Sequence, residues 1–205
     1  MNSSAITLRA ESVRLSKLAE SLIEQRELDR AAQIYKQVLD IQLHLGDLKG
    51  QAEILKSLGN IAHKRGNYAE AQQIYSEVLE IFKRLEDVRG QTTTLYQLGM
   101  IAQDQGRYAE AMRLYEQSLA IQERLGDVRG KSATLHQMAN VLVTRGDLDG
   151  AMRLYEQSLA IQERLGDVRG TSATLHQMAG VLVTRGDLDG AMRLYEQSLA
   201  IQERL

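Results

Sequence analysis

Between Gln51 and Gly90 the apolar and small side chains fall into two stripes at helical spacing. Ala52, Leu55, Leu58 and Ala62 make the first. After a break at Gly66-Asn67, Ala71, Ile74, Tyr75, Val78, Phe82 and Leu85 make the second. Two amphipathic helices, A and B, are predicted for this stretch. No segment of the chain sustains the period-two alternation of a strand between turn signals.

The same pair of stripes recurs along the chain. RLGDVRG stands at 124–130 and 164–170, RLEDVRG at 84–90 and HLGDLKG at 44–50, a period of about 40 residues, within the range of solenoid repeats. Five units result, covering 1–50, 51–90, 91–130, 131–170 and 171–205, and they are read as one array. Segments 132–165 and 172–205 are identical except that Asn140 is replaced by Gly180, the mark of a recent tandem duplication. Gly66, Gly106, Gly146 and Gly186 are expected to end helix A in the left-handed conformation, with Asn67, Asp147 and Asp187 capping helix B. At the junctions between units, Gly46, Gly126 and Gly166 end a helix, and Asp47, Asp87, Asp127 and Asp167 cap the next. The pattern gives no reason for Gly150 and Gly190 early in helix B, where glycine costs helix propensity.

Composition narrows the function classes. The 205 residues contain no proline, cysteine or tryptophan, which fits long uninterrupted helices and excludes disulfide scaffolds, zinc-cysteine sites and thiol catalysis. A net charge of -2 with both signs interleaved provides no basic field for nucleic acid or anionic lipid. The N-terminal stretch lacks a basic region followed by an apolar core, and no later run is long enough to span a bilayer. A cytoplasmic protein with no nucleic-acid or membrane partner is expected.

Strings that imitate chemical motifs have simpler readings. Gly126-Asp-Val-Arg-Gly130-Lys131-Ser132 resembles a phosphate-binding loop, but only three residues separate its glycines, it joins two helices, and the next copy has Thr171 in place of the lysine. Asp147-Leu-Asp149-Gly150 places its glycine too early for a calcium loop. The four histidines, His44, His63, His136 and His176, include no i, i+4 pair, and no carboxylate is evidently placed beside them, so surface imidazoles are expected. No Gly-x-Ser-x-Gly elbow occurs. No catalytic residue, metal or cofactor is predicted, and the carboxylates are read as ion-paired helix faces.

The repeated residues resemble the tetratricopeptide repeat family over nearly the whole chain. Leu58-Gly59 and Leu98-Gly99, with Leu18-Ala19, Met138-Ala139 and Met178-Ala179, occupy its helix A pair. Ala31, Ala71, Ala111, Ala151 and Ala191 occupy the small slot of helix B, each followed by Tyr35, Tyr75, Tyr115, Tyr155 or Tyr195. Leu15, Leu55, Leu95, Leu135 and Leu175 stand where that family usually has tryptophan, and its helix-ending proline is absent. The unit length is similar to an extended subclass found in bacterial signalling proteins and polarity adaptors. The resemblance implies an all-α, right-handed superhelical solenoid of antiparallel helix pairs whose helix A faces line a concave groove.

Residues at i, i+3, i+7 and i+10 of each helix A would then form the groove. The columns begin with Val13, Ser16, Glu20 and Ile23. They continue with Glu53, Lys56, Asn60 and His63, then Thr93, Tyr96, Met100 and Gln103. The fourth unit gives Ala133, His136, Asn140 and Val143, and the fifth Ala173, His176, Gly180 and Val183. Within them Lys56, Asn60, His63, Tyr96, Met100, Gln103, His136, Asn140, Val143 and His176 are the candidate peptide-binding residues, mixing hydrogen-bonding and apolar groups. Tyr96 is the tyrosine that breaks the repeat period. Lys56 and Asn60 match half of the family's carboxylate clamp, but Gln97, Ala133 and Gln137 lack its remaining basic groups, so chaperone-tail binding is not expected.

The expected function is a non-enzymatic interaction scaffold for a protein or peptide segment. The alternative is a ligand-sensing array cut from a larger signalling ATPase, kinase or protease. Because the sequence stops at Gln202-Glu203-Arg204-Leu205 without a polar capping helix, a fragment of a longer array is expected. Leu194, Tyr195, Leu199 and Ile201 should then be exposed and prone to end-to-end self-association.

Overall fold

A computed structural model describes residues 3–203; Arg204 and Leu205, which close the fifth predicted unit, lie outside them. Among the described residues there are ten α-helices and no strand. They are α1 (Ser3–Glu24), α2 (Leu28–Leu45), α3 (Leu48–Lys64), α4 (Tyr68–Arg84), α5 (Val88–Asp104), α6 (Tyr108–Leu125), α7 (Val128–Thr144), α8 (Leu148–Leu165), α9 (Val168–Arg185) and α10 (Leu188–Gln202). Odd-numbered helices are the predicted helices A and even-numbered ones the helices B. Contacts group them into two compact units, Met1–Gln105 and Gly106–Leu205.

Helix ends follow the glycine and aspartate pattern with one correction. All seven predicted C′ glycines have positive φ. In two equivalent turns a non-glycine residue adopts the same conformation, Arg26 at φ 62° and Glu86 at φ 54°. Asp47, Asp87, Asp127, Asp147, Asp167 and Asp187 each accept a hydrogen bond from the backbone N–H three residues on, at 2.8–3.0 Å. That third residue is always glycine. A Cβ at Gly130, Gly150 or Gly190 would collide with the carboxylate of its capping aspartate, which accounts for Gly150 and Gly190. Asn67 makes no cap. Glu70 stands three residues after it, and Asn67 Nδ2 points to Glu70 Oε2 at 3.4 Å. The starts of α2 and α6 use the same substitute: Glu27 pairs with Arg30 at 2.6 Å, and Arg107 pairs with Glu110.

In residues 1–105 the core gathers Leu15, Ala19, Leu22, Ala31, Tyr35, Val38 and Leu58, with Ala52, Leu55, Val78 and Phe82 beside them. The helix A glycine allows α3 and α4 to approach closely, since a Cβ on Gly59 would stand 2.8 Å from the Tyr75 ring. In residues 106–205, Ala139, Ala151, Tyr155, Met178 and Val181 form the corresponding cluster. Buried serines join the helix pairs there: Ser132 Oγ lies 3.0 Å from Ser158 Oγ, and Ser172 Oγ lies 2.9 Å from Ser198 Oγ. Bonding to each other satisfies hydroxyls that burial would otherwise penalise.

The last described helix exposes a different set of residues from the one expected. Leu194 and Ile201 are half-buried, because Leu194 turns inward onto the Tyr155 cluster. Leu188, Met192 and Leu199 are 65%, 60% and 55% exposed, and Tyr195 is 36% exposed.

Candidate functional site

Within residues 1–105, the helix A columns of α3 and α5 carry the first candidates. Lys56 is half-buried; its Nζ lies 2.9 Å from Glu53 Oε2 and 5.9 Å from the centroid of the Phe82 ring. The cation is therefore held both by a carboxylate and by an aromatic face. Asn60 is exposed, yet its Oδ1 accepts a 2.6 Å hydrogen bond from the hydroxyl of Tyr75. That hydroxyl also lies 3.4 Å from the Lys56 carbonyl oxygen. Burial pushes the Tyr75 pKa well above its ordinary value, so the phenol is a neutral donor. In the preceding unit burial also raises Tyr35, which bonds Ser57 and feels the charge of Glu20, the residue of the same column.

His63 corrects the expectation of an isolated surface imidazole. Its Nε2 lies 2.5 Å from Asp104 Oδ2, and its ring leans on Tyr68 at 5.7 Å between centroids. The partners are 41 residues apart and meet because α3 and α5 carry them to the same end of adjacent units. Tyr96, Met100 and Gln103 are half-buried on α5.

Within residues 106–205, α7 carries His136, Asn140 and Val143. His136 is also not a surface group: its Nδ1 lies 2.9 Å from Thr174 Oγ1, its ring meets Tyr155 edge-on at 5.3 Å, and burial lowers its pKa. Asn140 is held on two sides. Its Oδ1 accepts from the Tyr155 hydroxyl, and its Nδ2 donates to Gln137 Oε1 at 3.1 Å. Burial raises Tyr155 to about 12. Val143 is half-buried against the Tyr155 cluster, while His176 on α9 is exposed with its ring 5.0 Å from that of Tyr195.

The packing tyrosines are therefore hubs. Tyr75 links Asn60 with the Lys56 backbone, and Tyr155 links His136 with Asn140. Sequence reading assigned these tyrosines to packing alone. The signal was the separation of 15 residues from Asn60 to Tyr75 and from Asn140 to Tyr155, which joins a helix A to its helix B. Among the described residues no group of three or more histidine and carboxylate side chains could hold a metal ion. An open pocket of about 400 Å³ lies elsewhere, at the α6–α7 junction, bordered by Gln122, Asp127, Lys131 and Arg164. No described helix is long and apolar enough to cross a membrane.

Comparison with known proteins bears on this arrangement. The family model described as tetratricopeptide repeat matches residues 10–84, 50–124, 90–164 and 130–204. No curated protein sequence matches the chain significantly. Among solved structures, the chain is similar to BtubC from P. vanneervenii, with a TM-score of 0.84 and 21% identity, covering 97% of this chain and 82% of that one. It is similar to a signal transduction ATPase with numerous domains from Pyrococcus horikoshii that has a tetratricopeptide repeat sensor (TM-score 0.82, 16% identity, 94% and 30% covered). It is also similar to the Rap conjugation gene regulator of the plasmid pLS20 in complex with the Phr* peptide (TM-score 0.81, 15% identity, 100% and 57% covered).

Proposed function

Because the chain belongs to the tetratricopeptide repeat family, we propose that its five units act as one array, a non-enzymatic cytoplasmic scaffold that binds a peptide or protein segment along the helix A faces. One observation carries this reading. The helix A columns change chemistry from unit to unit, from Lys56 and Asn60 through Tyr96 and Met100 to His136 and Asn140, whereas the packing alanine and tyrosine repeat in every unit. A surface of mixed amide, aromatic and apolar groups suits an extended segment, whose backbone needs hydrogen bonds and whose side chains need pockets. The peptide-bound Rap regulator supports the class of partner. The test is capture of partners from the native source by wild type and by Tyr96→Ala/Gln103→Ala, with helicity checked by circular dichroism. Retention of every partner by the folded variant sinks the assignment.

The likeness to the ATPase with a repeat sensor favours a second reading, in which the array senses a ligand for a larger signalling protein. Reading the gene on both sides of the segment that encodes residues 1–205 distinguishes the two, since the second requires an effector domain in the same protein.

Self-association is the further partner property we propose. In α8, Leu148, Met152 and Leu159 are half-buried, whereas the identical Leu188, Met192 and Leu199 of α10 are exposed. On α1, Glu11, Arg14 and Ser21 occupy the register that holds Thr171, Thr174 and Val181 on α9. This polar face is a poor match for α10, so the pairing favoured is α10 of one copy against α10 of another.

A further inference from the structure

We infer that the helix A face of the fifth unit is a recognition notch for a carboxamide, the side chain of an asparagine or glutamine carried by the bound segment. The inference rests on the groove reading above and adds a subsite of stated chemistry to it.

Units four and five provide an internal comparison, because from Ser132 and Ser172 onward they differ at one position. In unit four the carboxamide of Asn140 sits between a donor and an acceptor, the Tyr155 hydroxyl and Gln137 Oε1. In unit five the flanking residues are kept as Tyr195 and Gln177, but Gly180 supplies no side chain between them. A Cβ placed on Gly180 would meet only the Tyr195 hydroxyl, at 4.0 Å, so the space is open. Neither Tyr195 nor Gln177 makes a hydrogen bond among the described residues. Both are exposed, whereas Tyr155 is buried at 1%.

The matching group is set by what remains. A phenol donates to a carbonyl oxygen, and a glutamine oxygen accepts from an amide N–H, so one primary carboxamide satisfies both as Asn140 does in unit four. The His176 ring, 5.0 Å from that of Tyr195, forms a wall beside them. A carboxylate fits less well, because this set of phenol, carboxamide and imidazole has no permanent cation to offset its desolvation.

The test is to pan a phage-displayed random peptide library against the full chain, at a concentration where it is monomeric, and to measure the selected peptides by calorimetry. Peptides sharing an asparagine or glutamine at one position are expected. Changing that residue to alanine, or making Gly180→Asn, should weaken binding about tenfold, consistent with loss of a hydrogen-bonded group. The two changes together should weaken it little further. Gly180→Asn reproduces unit four and so retains the fold; Tyr195→Phe, which removes only the donor, should weaken binding in the same direction. Selected peptides that lose affinity with Tyr96→Ala but ignore Gly180→Asn overturn the notch and leave the groove reading standing. Failure to select any peptide overturns both.

Discussion

The hydroxyl of Tyr75 donates to the side-chain oxygen of Asn60 across the α3–α4 hairpin at 2.6 Å. Asn60 therefore supports the fold with one side of its carboxamide while the rest of the residue faces solvent. Asn60→Ala should cost about 0.5–1.5 kcal/mol by removing the nearer acceptor of a largely buried hydroxyl, which keeps only the Lys56 carbonyl oxygen at 3.4 Å. Tyr75→Phe in that background should recover part of the loss. Urea unfolding of the two single variants and the double variant measures the coupling, and strict additivity would refute it.

Glu86 holds a left-handed backbone conformation in a turn where the other junctions use glycine. Glu86→Gly should raise stability by roughly 1 kcal/mol through relief of that conformation, after the entropy cost of glycine is counted. An unchanged urea midpoint would show that the turn carries no such cost.

Gly150 offers a test of opposite sign. Alanine has the higher helix propensity by about 1 kcal/mol, but here its methyl would displace the Asp147 carboxylate from the helix start, and a lost cap costs a similar amount. Gly150→Ala should leave thermal stability near or below wild type, yet raise it when made in an Asp147→Ala background. Stabilisation of equal size in both backgrounds would exclude the steric account.

The buried rings make stability depend on pH at both ends. Tyr155 has its folded-state pKa raised from 10.0 to about 12, so its contribution is complete below pH 10 and is lost as pH rises through about 12. His136 has its folded-state pKa lowered below 6.5. Its contribution is present above pH 6.5 and is lost as pH falls through the folded value. Unfolding midpoints followed across both ranges should decline at each end, and His136→Gln should flatten the acid limb. An acid limb unchanged by that substitution would remove His136 as its source.

Light scattering tests the exposed apolar face of α10. Wild type should associate as concentration rises, and Leu199→Arg should suppress this without loss of helicity. Equal association by the two proteins would place the contact elsewhere.

The helices were legible because each carries an apolar stripe and ends at a turn residue, as with Ala52 to Ala62 before Gly66 and Asn67. What escaped lies between elements. The pairing of His63 with Asp104 spans 41 residues, and the tyrosine hydroxyls reach their asparagines only once the hairpin angle is fixed. Asn67 misled because capping depends on the third residue as well as the first, and Glu70 occupies the place that a capping aspartate shares with glycine elsewhere. Glu86 and Arg26 show the reverse case, in which the turn forms without its favoured residue.

The paired serines of the last two hairpins have a kinetic consequence. Ser132 meets Ser158 and Ser172 meets Ser198, but the surrounding residues are so alike that α7 could recruit α10 with nearly the same side chains. Lys131, bound to Glu123 at 2.7 Å, distinguishes α7 from α9 beside α6, since Thr171 stands at its place in α9, but it does not distinguish α8 from α10, whose sequences are identical. Near-degenerate alternatives of this kind slow the approach to the native state. The duplication that repeats a good interface thus also creates its own decoy, a slipped register one unit away that the folding chain must unmake.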